Sequence, residues 1–184
     1  MSKKPIQVNV KVAFLGDPKI GKSEFIKNYA GENSALKDKK DKGPHFLIKN
    51  TMNNYEFKIN IYEYSESEKY ANIIKDCQCV FILFDMTKRD SFERLLDNWI
   101  IFVRDVCAYK GKIIILGNYQ SAEDFLITDE DEVNELIQVC EIQAKFMRIG
   151  TISNDQKRQM IKKIIDEACS QYAKTKKNDD CIIF

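Results

Sequence analysis

Apolar and polar positions along this chain fall into two rhythms. Residues 8–15 alternate and are rich in Val and Phe, which predicts a β-strand. Residues 45–51 and 55–62 read as the two strands of a hairpin: Phe57, Ile59 and Ile61 alternate with polar neighbours, and Asn53-Asn54 supplies a turn because asparagine tolerates positive φ. Val80-Phe81-Ile82-Leu83-Phe84 is apolar without a break, the pattern of a strand buried on both faces, and residues 112–116 repeat it. Residues 145–150 make a weaker sixth strand. Between the strands the spacing turns helical. Residues 22–30 predict one helix. Phe92, Leu95, Leu96, Trp99, Ile100 and Val103 share the stripe of a second, with Asp90 or Ser91 placed to cap it. Val133, Leu136, Ile137 and Cys140 mark a third. Met160, Ile161, Ile164, Ile165 and Ala168 mark a fourth, with Asn154 or Asp155 as its cap. Strands alternating with helices predict an α/β fold, a doubly wound, mostly parallel six-stranded sheet flanked by helices.

Composition narrows this to one domain with a short tail. The chain has 184 residues, 44% of them hydrophobic, enough for a real core. Past Tyr172 it turns polar, so residues 1–172 are expected to form the domain and residues 173–184 a flexible tail. The run from Lys37 to Lys42 is all Lys and Asp and reads as a solvated loop. A net charge of +1 gives no basic field for nucleic acid. Residues 1–5 lack the apolar run of a secretory signal, and no stretch approaches the ~20 apolar residues of a membrane span. Most of the six cysteines sit in apolar segments, and Cys77-x-Cys79 has no partner pair at zinc-site spacing, so both read as core thiols of a reduced, cytosol-facing protein.

One motif carries chemistry. Gly16-Asp17-Pro18-Lys19-Ile20-Gly21-Lys22-Ser23 matches G-x-x-x-x-G-K-[ST] between a predicted strand and a predicted helix, which places the chain in the P-loop NTPase fold. Such a loop wraps a diphosphate so that successive backbone N–H groups point inward. Glycine at both ends permits the sharp turns. Gly16, Pro18, Lys19, Ile20, Gly21, Lys22 and Ser23 are the expected phosphate contacts. Lys22 is expected to reach the phosphates and the Ser23 hydroxyl to ligate Mg²⁺ at the helix N-terminus. Lys19 adds a second cation beside them.

The order of motifs resembles the Ras superfamily of small GTPases, and its Rab branch most closely, over nearly the whole chain. Phe84-Asp85-Met86-Thr87, then Ser91-Phe92 and Trp99, is similar to the Rab run Y-D-x-T-x-x-x-S-F…W. Gly43 and Phe46 resemble the glycine and phenylalanine of T-I-G-V-D-F. The run from Tyr62 to Tyr70 lines up with W-D-T-A-G-Q-E-R-F, and Leu116-Gly117-Asn118 with the start of V-G-N-K-x-D. The resemblance implies GTP and GDP as ligands, Mg²⁺ held by Ser23 and, through water, by Glu63, and a guanine contacted by Asn118 and Thr151. It also implies an effector surface built from Phe46, Tyr62 and the flanking switches, where each aromatic reads equally well as core or as both, together with an exchange factor and a role as a switch in vesicle trafficking or signalling.

The departures fall on the same motifs. Asp41 stands at the switch I threonine, and Glu66 at the glycine of D-x-x-G, where a side chain crowds the γ-phosphate. Ser67 stands at the water-positioning glutamine. Phosphoryl transfer draws mainly on positioning and electrostatics, so its loss costs rate, not nucleotide affinity, and slow hydrolysis is expected, with no confident catalytic residue. Tyr119 and Ser121 stand at the base-site lysine and aspartate, unless Glu123 or Asp124 takes over the aspartate's place, so guanine specificity comes from the resemblance. Cys181-Ile182-Ile183-Phe184 fits C-a-a-X with X = Phe, which favours a geranylgeranyl over a farnesyl chain on Cys181. With Lys174, Lys176 and Lys177 upstream, this implies reversible anchoring at the cytoplasmic face of an endomembrane or the plasma membrane, a cytosolic pool and a prenyl-binding escort. Two other readings stand beside the switch: a pseudo-GTPase interaction module that binds nucleotide without switching, and a different P-loop enzyme such as a small kinase.

Overall fold

A computed structural model describes residues 5–30, 35–36, 46–52, 54–65, 70–119, 126–150 and 152–179. Its sheet holds the six expected strands plus a two-residue strand at one edge. In chain order these are β1 (Ile6–Gly16), β2 (Ala35–Leu36), β3 (Phe46–Met52), β4 (Tyr55–Tyr64), β5 (Cys79–Asp85), β6 (Lys112–Asn118) and β7 (Ala144–Arg148). The spatial order is β2-β3-β4-β1-β5-β6-β7. The two outermost pairings on the β2 side are antiparallel and the rest are parallel. β1 therefore lies inside the sheet, and its last residues face β4 on one side and β5 on the other.

Alternation along the central strands sorts the core into two layers. Val10, Val12, Phe14, Phe81, Leu83, Ile114 and Leu116 point to the face covered by α1 (Lys22–Ala30) and α5 (Asn154–Asp179). Ala13, Leu15, Val80, Ile82, Phe84, Ile113 and Ile115 point to the opposite face, under α2 (Ala71–Lys75), α3 (Arg89–Arg94) and α4 (Glu130–Val139). Phe14 stacks on Phe81 with ring centroids 4.5 Å apart, a contact fixed by their pairing in the β1–β5 register.

Several elements differ from the sequence reading. α2 is unpredicted: it is five residues long and buries only Ile74, too little to leave a periodic signal. α3 starts as expected, but the segment beyond it, Leu95–Ile100 and Phe102–Val106, winds as π-helix. Neither Asp90 nor Ser91 caps this helix; its N-cap is Lys88, without a side-chain bond, and Ser91 is buried inside the first turns. The start of α5 is capped by Ser153, not by Asn154 or Asp155: the Gln156 amide donates to Ser153 Oγ at 3.2 Å and the Ser153 amide to Gln156 Oε1 at 2.9 Å. α5 also runs beyond Tyr172, through the first part of the expected tail, to Asp179. No Gly or Pro interrupts it, and Ala173 is packed against the core at 4% exposure. Among the described residues no helix is long and apolar enough to cross a membrane. Five cysteines are described, and all are buried free thiols.

Candidate nucleotide site

β1 delivers the chain to the phosphate loop, and α1 takes it away. Gly16 ends the strand at φ 137°, Lys19 sits in the left-handed region at φ 63°, and Gly21 turns at φ 92° into the first turn of α1. Gly16 is required twice over. Its φ is closed to side chains, and a Cβ there would stand 2.3 Å from the Leu83 carbonyl of β5. Lys19 holds a conformation a lysine rarely adopts. Pro18 and Lys19 are exposed, while Lys22 is buried at 3% exposure. The Lys22 ammonium donates to the carbonyls of Gly16 (2.7 Å) and Asp17 (2.6 Å) and to Ser65 Oγ (2.9 Å), so a buried charge is ringed by acceptors from the loop and from the chain just past β4. Beside it, Ser23 Oγ donates to Glu63 Oε1 at 2.6 Å. Glu63 is carried there by β4, in register with Phe14 of β1. Lys19, Lys22, Ser23, Lys27, Glu63 and Ser65 line a cleft of about 380 Å³.

A second hollow of about 430 Å³ lies on the other side of the α1 N-terminus, bordered by Asp85, Thr87, Asn118, Tyr119 and Gly150. Asn118, at the end of β6, donates from Nδ2 to the Ile20 carbonyl at 2.9 Å and so ties this hollow to the loop. Tyr119 lays its ring against Gly150, where a Cβ would meet ring carbons at 2.3 Å. At the rim, Asp85 Oδ1 accepts from the Thr87 amide (3.0 Å) and hydroxyl (2.6 Å), and Asp85 Oδ2 pairs with Lys88 at 2.9 Å. Burial pushes the Asp85 carboxyl up, but the bonds from Thr87 and Lys88 outweigh it and hold the group below the usual carboxylate range.

A model of the Ras family matches residues 11–170, a span that contains every residue just described from Gly16 to Gly150. The chain belongs to the Ras family. Its relatives include Rab-3C of Bos taurus, 20% identical over 177 residues that cover 94% of this chain and 77% of the relative. RABA4b of Arabidopsis thaliana is 23% identical over 133 residues, covering 70% and 59%. Rab-2B of Dictyostelium discoideum is 25% identical over 118 residues, covering 61% and 58%. The names place this Ras-family chain close to the Rab branch, as the run from Phe84 to Trp99 suggests.

Of the seven expected phosphate contacts, Lys19, Gly21, Lys22 and Ser23 line the cleft with Glu63 of β4, Ile20 borders the second hollow with Asn118 of β6, and Gly16 and Pro18 belong to the loop that leads to them. Thr151 and Cys181 lie outside the described residues, as do Asp41, Glu66, Ser67 and Ser121. Phe46 and Tyr62, expected on an effector surface, are core residues at 2% and 7% exposure. Phe46 packs on the α1/α5 face and Tyr62 on the opposite one. Mg²⁺ suits the Ser23–Glu63 pair, since a hydroxyl and a carboxylate already in contact are hard oxygen donors facing the phosphate cleft. Among the described residues no group of three or more His, Cys, Asp or Glu gathers to hold a metal.

Sequence reasoning missed Asp17. Its carboxylate is buried and accepts from Arg94 Nε (2.8 Å), Trp99 Nε1 (3.2 Å) and Ser91 Oγ (3.4 Å). Ser91 Oγ in turn accepts from the Asp85 amide at 2.9 Å. This joins the phosphate loop to the rim of the second hollow. The π-helical winding makes the arrangement possible. Residues five apart on an α-helix, such as Arg94 and Trp99, diverge by about 140°. Closure from i to i+5 brings them onto one side. Ser91 and Trp99 belong to the run that carries the Rab resemblance, but their convergence on Asp17 leaves no local pattern.

Proposed function

We propose that this chain is a membrane-anchored guanine-nucleotide switch of Rab type, acting in vesicle trafficking or signalling, with slow hydrolysis. The observation that carries the nucleotide reading is the loop from Gly16 to Gly21 closing over the α1 N-terminus, with Lys22 and the Ser23–Glu63 pair on one cleft. In that cleft Lys22 and the loop amides neutralise phosphate charge, while Ser23 and Glu63 hold the Mg²⁺ side. Bound Mg²⁺ supplies charge neutralisation across the phosphate oxygens. Slow turnover follows from Glu66 and Ser67 at the glycine and glutamine positions. The run from Cys181 to Phe184, with the upstream lysines, supports a prenyl chain, an escort protein, and a partition between the cytoplasmic face of a membrane and a cytosolic pool. An exchange factor and effectors complete the cycle.

The first test identifies the nucleotide released on denaturing freshly purified protein; GDP or GTP is expected, and adenine nucleotide or none overturns the guanine reading. Single-turnover hydrolysis of GTP then checks the rate, and turnover at the pace of ordinary small GTPases overturns the reading of Glu66 and Ser67. Tyr119, packed on Gly150 where the family has a lysine, favours a second reading, an interaction module that binds nucleotide without switching. Calorimetry separates the two. In a switch, an effector must raise the affinity for a GTP analogue relative to GDP, whereas an effector that leaves that ratio unchanged is not coupled to the nucleotide state.

A further inference from the structure

The two hollows meet over the first turn of α1. Among the described residues only Gly21 and Glu24 border both. A nucleotide with its base beside Asn118 and its phosphates beside Lys22 and Ser23 must carry its sugar across this seam. Gly21 has no side chain to offer there. Glu24 has a carboxylate. It is exposed, and among the described residues it makes no hydrogen bond or ion pair, neither with Lys27 one turn along α1 nor with Lys157 across the hollow. An acid in the first turn suits the helix dipole, which accounts for its tolerance in α1. The dipole does not account for a carboxylate facing the phosphate cleft, where it opposes the charge of the ligand.

We infer that Glu24 is a sugar-specificity residue, its carboxylate accepting hydrogen bonds from the 2′- and 3′-hydroxyls of a bound ribonucleotide. The inference rests on the nucleotide-binding reading above. An ionised carboxylate is an acceptor only, with two oxygens side by side, and a vicinal diol presents two O–H donors at matching separation. An acidic side chain serves the ribose 2′-hydroxyl in the same way in dinucleotide-binding folds. A deoxy sugar leaves that acceptor without its donors. A phosphate on the ribose meets a like charge, so Glu24 also selects against nucleotides phosphorylated on the sugar.

Calorimetry with GDP, 2′,3′-dideoxy-GDP and GDP carrying a 3′-phosphate tests this on the unaltered chain and on Glu24→Ala and Glu24→Gln. The unaltered chain is expected to prefer GDP to the dideoxy form by about tenfold or more, the scale of a hydrogen bond to a charged group. Glu24→Ala is expected to bring the ratio within about twofold, and Glu24→Gln, which keeps an acceptor without the charge, to fall between. The 3′-phosphate should gain affinity only when the carboxylate is gone. A thermal unfolding midpoint unchanged in both variants shows that the fold is intact. An unchanged sugar preference in Glu24→Ala overturns the inference. So does an equal gain for ribose and dideoxyribose forms, which would make Glu24 merely a repulsive neighbour of the phosphates. Failure of the unaltered chain to bind any nucleotide is a different result, and it overturns the reading beneath this one as well.

Discussion

The phosphate half and the base half of the site are built on different terms. Around the phosphates, the recognising groups belong to the backbone or are locked to it: the Lys22 ammonium is held by two loop carbonyls and Ser65, Asp17 is fastened to the π-helical segment, and Gly16 touches the β5 backbone. In the hollow expected to take the base, the bordering groups are side chains on strand ends and loops, joined to the phosphate loop by Asn118 through the Ile20 carbonyl and by Asp85 through Ser91 and Asp17. Backbone recognition survives sequence change as long as its glycines and its lysine remain. Side-chain recognition does not: by the resemblance, Tyr119 and Ser121 depart at the base motif, and Asp41, Glu66 and Ser67 depart at the γ-phosphate motifs, while the loop from Gly16 to Ser23 keeps its pattern. Such a division would let phosphate affinity and base choice change separately in one fold.

The strongest challenge to this contrast is Lys22→Ala. Removing a charged donor from the phosphate cleft is expected to weaken GDP by about 100-fold or more in calorimetry. A loss below tenfold would mean that the base half carries the affinity after all. A paired glycine experiment comes next. Gly16→Ala forces a Cβ against the backbone at a closed φ and should cost about 3 kcal/mol or more in chemical denaturation. Gly150→Ala meets the side chain of Tyr119 first, not backbone, and should cost less, about 1 kcal/mol. Similar costs would erase the distinction. Asp17→Ala leaves the buried Trp99 Nε1 without its acceptor and should lower stability by about 1–3 kcal/mol while speeding nucleotide release. Asn118→Ala should weaken GDP about tenfold with little change in stability, because it removes a base-side side chain whose bond to the Ile20 carbonyl is only partly buried.

The smallest effects are those of pH. The Asp85 carboxyl lies below its ordinary value in the folded chain, so its contribution is complete above about pH 4 and is lost as pH falls through the folded value. Asp85→Asn should flatten that acid limb in unfolding midpoints measured against pH. The buried thiols behave oppositely. Burial pushes Cys107 up to about 11, and Cys79 and Cys169 up to about 12. Their contribution is complete below about pH 8.5 and is lost as pH rises towards those values. An alkaline limb that persists in a Cys79→Ala, Cys107→Ala, Cys169→Ala variant would assign it to other groups.

Most of the architecture was legible because it is local. Strand alternation and helix stripes repeat within a few residues, and the phosphate motif is contiguous, so six strands, the four long helical segments and the loop from Gly16 to Ser23 are written in short windows of sequence. Signals that were short or non-periodic were lost: α2 buries a single residue, and the cap of α5 sits one residue before the expected one. Tertiary structure alone decided the rest. Asp17 meets Arg94 and Trp99 across 77 and 82 positions, and a π-helical winding is needed to bring those two donors together. Phe46 and Tyr62 are core and not surface because neighbouring strands and helices cover them. Periodicity records which way a side chain points along its own element; what stands opposite it depends on how distant elements pack, and that is set only when the whole chain folds.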